Sequence, residues 1–365
     1  MSEKMTTFSL DLEKILLPIS SQQPAGDYLK YEGTYDLIEN ARREEDADLP
    51  MGIWASPVKK ADWEQVRDLC IESLETRTKD IQIACWLFEA LLKLYGYHGI
   101  LEGLHLLKAL SETFWETMYP PLEEDSFEYR ISPLIWLNDK MTLKIKMIPL
   151  TRPETDKDYT YCWADWESAL YYERLNLQRK KPGTEPKNMI SRARFLTGVT
   201  LTGIQYYQEL AAIIDQILDE FRQLEYQLQD KIGNGAPSFH TFKSILNDIR
   251  KFVRQTLDER REEISENDEP SSEMSMESDQ NEMVSSGKET PRTFRTIRSR
   301  ADAYLALSEA AEFLLRTEPH SPVPYLIKRA IVWGSMPLSD VLHELVETEP
   351  KLKEIYKLLG INESR

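Results

Sequence analysis

Apolar residues recur at steps of three and four through most of the 365 positions, the spacing that places them along one face of a helix. A lead-in comes first: Leu16-Leu17-Pro18-Ile19, with Pro24, Gly26 and Asp27, reads as an ordered loop. A helix is predicted over Tyr31–Arg43, then an irregular segment through Pro50, Gly52 and Pro57. Asp62 is positioned to cap the next helix, whose stripe is Trp63, Val66, Cys70 and Leu74. A second stripe (Ile81, Cys85, Phe88, Leu92, Tyr95) ends near Gly96 and Gly99. A third (Leu101, Leu104, Leu107, Phe114, Met118) is closed by Pro120-Pro121, and a fourth helix runs from Ser132-Pro133 to Pro149. Helices joined by short loops pack antiparallel, so residues 1–150 are expected to form an N-terminal helical bundle in an all-α chain.

A second helical region is expected over residues 160–257. Trp163, Trp166, Leu170 and Tyr171-Tyr172 open it, and Lys180-Lys181-Pro182-Gly183 interrupts it. One long run from Ser191 to Asp230 then carries Ile204, Tyr207, Leu210, Ile214, Ile217, Phe221, Leu224 and Leu228, close to a heptad seam. Such a seam suits an interior bundle helix first, because bundle helices commonly show this period, with a self-association surface as the alternative. Near the end a helical hairpin is predicted. Ser299 and Asp302 offer a capping start, Tyr304, Leu307, Ala311 and Leu314 share a face, and Pro319 stops the helix. Ser321 can cap the return helix, Pro322 and Pro324 fall in its first turn, and Val323, Leu326, Ala330 and Trp333 keep the period until Gly334.

Composition changes the picture at one place. Residues 258–290 hold twelve acids and three bases, about −9 of the chain's net −17, with no aromatic residue. A segment so poor in apolar surface cannot offset its ordering entropy, and a disordered acidic linker is expected there. The parts on either side are then only mildly acidic. Arg292, Arg295, Arg298 and Arg300 follow as a small basic patch, read as a solvated helix start or as a contact for an acidic partner. The acidic balance argues against nucleic acid as a partner and against adsorption to an anionic membrane. No run approaches the roughly 20 apolar residues that span a bilayer, and no secretory signal opens the chain, so a cytoplasmic protein is expected. Cys70, Cys85 and Cys162 form no C-x-x-C and are expected as reduced core thiols.

Chemistry is sparse. The chain has no phosphate-binding glycine loop, no G-x-S-x-G elbow and no ligand-spaced set around His98 and His105. Glu123-Glu124-Asp125 reads as a solvated loop, and Trp63, Trp86, Trp115 and Trp136 fall within helix stripes. No catalytic residue, metal site or cofactor is expected.

The ordered series Leu17-Pro18-Ile19-Ser20, Pro24-x-Gly26-Asp27-x-Leu29, Asp62-Trp63, Arg77-Thr78-Lys79-Asp80, Trp86-Leu87, Gly99-x-x-x-Gly103-Leu104, Phe114-Trp115-x-x-x-Tyr119-Pro120 and Trp136-Leu137 resembles the ImpA N-terminal domain of the TssA family, components of bacterial type VI secretion systems. The hairpin, with Glu318-Pro319-x-Ser321-Pro322-Val323-Pro324-x-Leu326 and Trp333-Gly334-x-Met336-Pro337-Leu338, is similar to the C-terminal region of the shorter, baseplate-linked members. The resemblance implies a non-enzymatic assembly protein that forms homo-oligomeric rings through its C-terminal region. Its implied partners are baseplate, tail tube and sheath proteins, reached from the cytoplasm at the inner-membrane-docked baseplate.

Apolar content points the same way. Residues 291–365 make three or four short helices with more apolar surface than one small hairpin hides, so a C-terminal oligomerisation domain is expected. Pro322, Pro324, Leu326, Ala330, Trp333, Met336 and Leu338 are its candidate assembly residues. The competing reading is a helical adaptor or chaperone that binds one protein partner without forming a ring.

Overall fold

The structure is a computed structural model that describes residues 8–45, 59–122, 126–153, 157–178, 190–267, 297, 300–336, 341 and 344–345. The chain is all-α, and its helices fall into two compact units. The first gathers residues 1–150, 162–164 and 205–254, and the second gathers 151–161, 165–204 and 255–365. The segment 160–257, expected as one helical region, is shared between them.

In the first unit the helices are α1 (Leu12–Ile15), α2 (Thr34–Arg42), α3 (Trp63–Thr76), α4 (Ile81–Thr113) and α5 (Glu128–Lys146). They are joined by most of α8 (Ile204–Ile232) and the first half of α9 (His240–Asn267). Asp62 caps α3 by accepting from the Gln65 N–H at 2.9 Å, and Asp80 caps α4 by accepting from Gln82 N–H at 2.8 Å. α4 is two helices in one: Gly96 takes φ 58°, ψ −128°, and the chain doubles back there. The returning half lies so close that a side chain on Gly99 would enter the Leu91 carbonyl, and one on Gly103 would enter the Phe88 ring. The Gly-x-x-x-Gly spacing therefore serves close helix approach, not merely a stop. α5 starts a turn before Ser132 and takes Pro133 into its interior, where it is buried with Leu134 and Leu137.

The long seam belongs to this unit. Tyr207, Leu210, Ile214, Ile217, Phe221, Leu224 and Leu228 of α8 are all buried within the chain, the interior-helix arrangement. Phe221 packs on Phe239 and Phe242, and Phe242 meets Phe88 edge-on at 6.1 Å.

Three buried charges tie the loops to this core. Lys79, without exposed surface, donates to the Ile15 and Leu74 carbonyls at 2.6 Å each and pins the lead-in loop. Arg130 donates to the carbonyls of Trp115, Met118 and Pro120, holding the turn that ends the third stripe. Glu89 accepts from Arg42 at 2.7 Å and from Lys144, while Arg42 stacks over Trp86 and Trp136. A carboxylate this deep is tolerable because two cations accompany it.

In the second unit, α6 (Trp163–Gln178), α7 (Arg192–Leu201), the end of α9, α10 (Arg300–Thr317) and α11 (Val323–Gly334) come together. The single run expected from Ser191 to Asp230 is broken. Thr202 is extended, its Oγ1 donating to the Gly198 carbonyl and accepting from the Arg152 N–H, so α7 stops and α8 starts afresh. Arg260 secures the carbonyls at that stop, donating to Val199 and Thr202. α9 continues through Asn267, ten residues into the expected acidic linker, and residues 268–290 lie outside the described ones. Cys70, Cys85 and Cys162 are buried and in no disulfide, and burial pushes the Cys70 and Cys85 thiols above their usual range.

Candidate assembly surface

The hairpin is set by its punctuation. α10 ends at Thr317 before Pro319, and Ser321 Oγ accepts from the Val323 N–H at 3.3 Å as α11 starts. Its open end is clamped by close contact. A side chain on Gly334 would collide with the Tyr304 hydroxyl, Arg300 donates to the Gly334 carbonyl, and the Arg300 guanidinium lies over the Tyr304 ring. Gly334 therefore belongs inside α11 as a place where a neighbour needs room; Ser335 follows as the cap.

Two corrections concern which face looks inward. On α10 the buried residues are Leu305, Ser308 and Ala311, whereas Leu307, expected on the packed stripe, is exposed. On α11 the buried residues are Pro324 and Ile331. Val323, Leu326 and Ala330 keep their helical spacing and face solvent. Leu326 is 59% exposed and shares its face with Val323, and Tyr325 on α11 and Phe313 on α10 are exposed as well. The stripes are real, and the missing factor was their partner. From α11 alone the period cannot say whether its face meets α10 or another molecule.

The candidate assembly residues thus separate. Pro322, Leu326 and Ala330 are exposed, Pro324 is buried inside the hairpin, and Trp333 and Met336 are half-buried. Leu338 lies outside the described residues. Trp333 is occupied locally: Arg329 stacks on it at 5.5 Å, its Nε1–H donates to Glu344 at 3.0 Å, and Arg329 pairs with Glu344 at 2.7 Å. Glu344 gave no sequence signal; it is found only by where the chain returns. Of the basic patch, Arg300 is engaged with Gly334 and Tyr304, and Arg292, Arg295 and Arg298 lie outside the described residues.

Among the described residues no group of three or more His, Cys, Asp or Glu could hold a metal ion, and no helix is long and apolar enough to cross a membrane. His98 is half-buried and burial pulls its pKa below the usual value; His105 sits between Glu102 and Glu220 at 3.7 Å from each. The His105–Glu220 contact braces α4 against α8.

Fold and surface define an all-α protein of two helical units, with exposed apolar residues on its C-terminal hairpin. Residues 16–139 match the family described as "ImpA, N-terminal, type VI secretion system". Over 347 residues the chain is 25% identical to the type VI secretion system component TssA1 of Pseudomonas aeruginosa, an alignment covering 92% of this chain and 95% of that one. It is also similar to the solved N-terminal domain, including the conserved ImpA_N region, of the TssA component of the type VI secretion system from Burkholderia cenocepacia. That likeness has a TM-score of 0.62 and 28% identity, covering 71% of this chain and 98% of the solved one. The chain is thus a TssA-like type VI secretion component by its likenesses, and its residues 16–139 match the ImpA N-terminal domain.

Proposed function

We propose that this protein is a non-enzymatic scaffold that self-assembles through its α10–α11 hairpin into a ring. In this reading it acts from the cytoplasm at the type VI secretion baseplate, where tail tube and sheath are built. The C-terminal hairpin supplies the symmetry, and the N-terminal helical unit of each copy meets the other components. The observation that carries the reading is the uncovered apolar face of the hairpin, with Leu326 at its centre and 59% exposed. Burying a leucine side chain yields about 1.5–3 kcal/mol, and a closed ring repeats that gain at every interface.

The test is the mass of the full chain in solution by light scattering. A multiple of the chain mass is expected at micromolar concentration, and Leu326→Asp should weaken association by about a hundredfold, the equivalent of about 3 kcal/mol per interface. The far-ultraviolet circular dichroism should be unchanged, because Leu326 makes little contact within its own chain. A monomeric wild-type chain would favour a single-partner adaptor instead.

A further inference from the structure

Within the second unit, both helices of the hairpin pack against α7. Ser335 Oγ lies 2.5 Å from Thr197 Oγ1 and 3.2 Å from the Ala193 carbonyl. Thr197 donates to Ala193 at 3.0 Å, so Ser335 can donate to Thr197 in turn. Thr197 is 1% exposed, a depth unusual for a hydroxyl on a ten-residue helix unless something sits on it. The seat is itself held still. Arg260 secures the C-terminal carbonyls of α7, and Gly198 lets the Tyr159 carbonyl approach where a side chain would not fit. The face of the hairpin carrying Leu326 is left open by this contact.

We propose that α7 is a docking site for the chain's own α10–α11 hairpin and stays occupied when copies assemble. The hairpin is then engaged on two sides at once, with α7 of its own chain through Ser335 and with neighbouring copies through the Leu326 face. This rests on the self-association reading above. Each copy's second unit is thereby carried by the assembly in one fixed attitude, where a hairpin attached only through residues 268–299 would leave it free to swing. The length of that segment does not decide which α7 is used: 32 residues could span about 100 Å if extended. Own-chain docking is therefore a claim that can fail.

The experiment uses the full chain with Thr197→Cys and Ser335→Cys, and a protease site inserted between residues 268 and 296. The native cysteines are buried, which keeps background pairing low. Mild oxidation followed by cleavage should leave the two fragments of one chain joined until reductant is added, with the mass of the uncleaved oligomer unchanged by oxidation. Bonds between chains, seen as a ladder before cleavage, would overturn the proposal in favour of exchange between neighbours. An own-chain bond that dissociates the oligomer would also overturn it, because docking would then exclude assembly. A monomer with the own-chain bond would uphold the docking site and sink the ring. As a second variant, Ser335→Lys in the full chain should speed hydrogen exchange of the 192–201 amides about fivefold to tenfold, the loss expected for one such hydrogen bond. Unchanged exchange there, with no disulfide in the cysteine variant, would overturn docking altogether.

Discussion

At the scale of single residues, the first unit is organised by buried cations that serve carbonyl oxygens. Arg130 gathers three carbonyl acceptors of one turn with a planar fork that a lysine could not reproduce. Lys79 does the same for two carbonyls, at the cost of a charge removed from water, and burial pulls its pKa down to about 8 from 10.5. In the unfolded chain the same amine holds its proton up to about 10.4. Between those values the unfolded state binds more protons than the folded one, so stability rises with pH across the window and the burial cost is fully present below it. Relative to Lys79→Met, which has no proton to lose, the wild type should gain roughly 2 kcal/mol of unfolding free energy between pH 7.5 and 10. Urea titrations of both proteins at the two pH values measure this, and parallel behaviour would refute the lowered pKa of Lys79 in the folded core. The sequence marks Lys79 only as part of Arg77-Thr78-Lys79-Asp80; that it turns inward becomes apparent once its carbonyl partners are seen.

At the scale of elements, periodicity was a good guide wherever the partner surface lay in the same chain. Most of the α3 stripe, of both halves of α4 and of the α8 seam is buried as the spacing implies, with Trp63, Tyr95, Leu101 and Ile204 half-buried at the stripe ends. It erred where a backbone hydrogen-bonding choice or a missing partner decided the outcome. Thr202 breaks α7 from α8 because its hydroxyl and the chain near Arg152 offer an alternative to the helix, which no count of apolar residues registers. Leu307 faces solvent because the inward positions of α10 are taken by Leu305, Ser308 and Ala311, whose smaller members let helices come close. The glycines of α4 make a sharper case. Gly99→Ala would drive a methyl into the Leu91 carbonyl, which belongs to the opposite arm of the helical hairpin and cannot rotate away. Overpacking of this kind costs about 1–3 kcal/mol, so the variant should melt several degrees lower. Gly233→Ala is the control, having open space around it but φ of 71°, and should lose only the smaller cost of the backbone strain. Equal losses in the two variants, measured by thermal unfolding, would argue against close helix approach as the reason for Gly99.

At the scale of the whole molecule, chain order and compact units do not coincide, and this changes what counts as a module. The ImpA N-terminal match ends at residue 139, yet the first unit closes only when α8 and the start of α9 return to it. The return is specific. The Phe242 N–H donates to Asn138 at 3.2 Å, Phe242 packs on Phe88, and Lys108 pairs with Glu220 at 2.5 Å. Gln227 also reaches the Lys108 carbonyl at 3.2 Å. A chain cut at residue 150 keeps every residue of the family match but leaves Phe88 and Asn138 without these partners. Losing one large aromatic contact from a core typically costs about 3–5 kcal/mol, comparable to the entire stability of a small domain. Residues 1–150 expressed alone should therefore bind a hydrophobic dye and unfold without a cooperative transition, whereas residues 1–267 should melt cooperatively. If the short piece melts as sharply and as high as the long one, α8 and α9 are accessories to the first unit. If it does not, the smallest folding unit of this protein is assembled from both sides of residue 150, and most of the intervening segment 151–204, α7 included, belongs to the other unit.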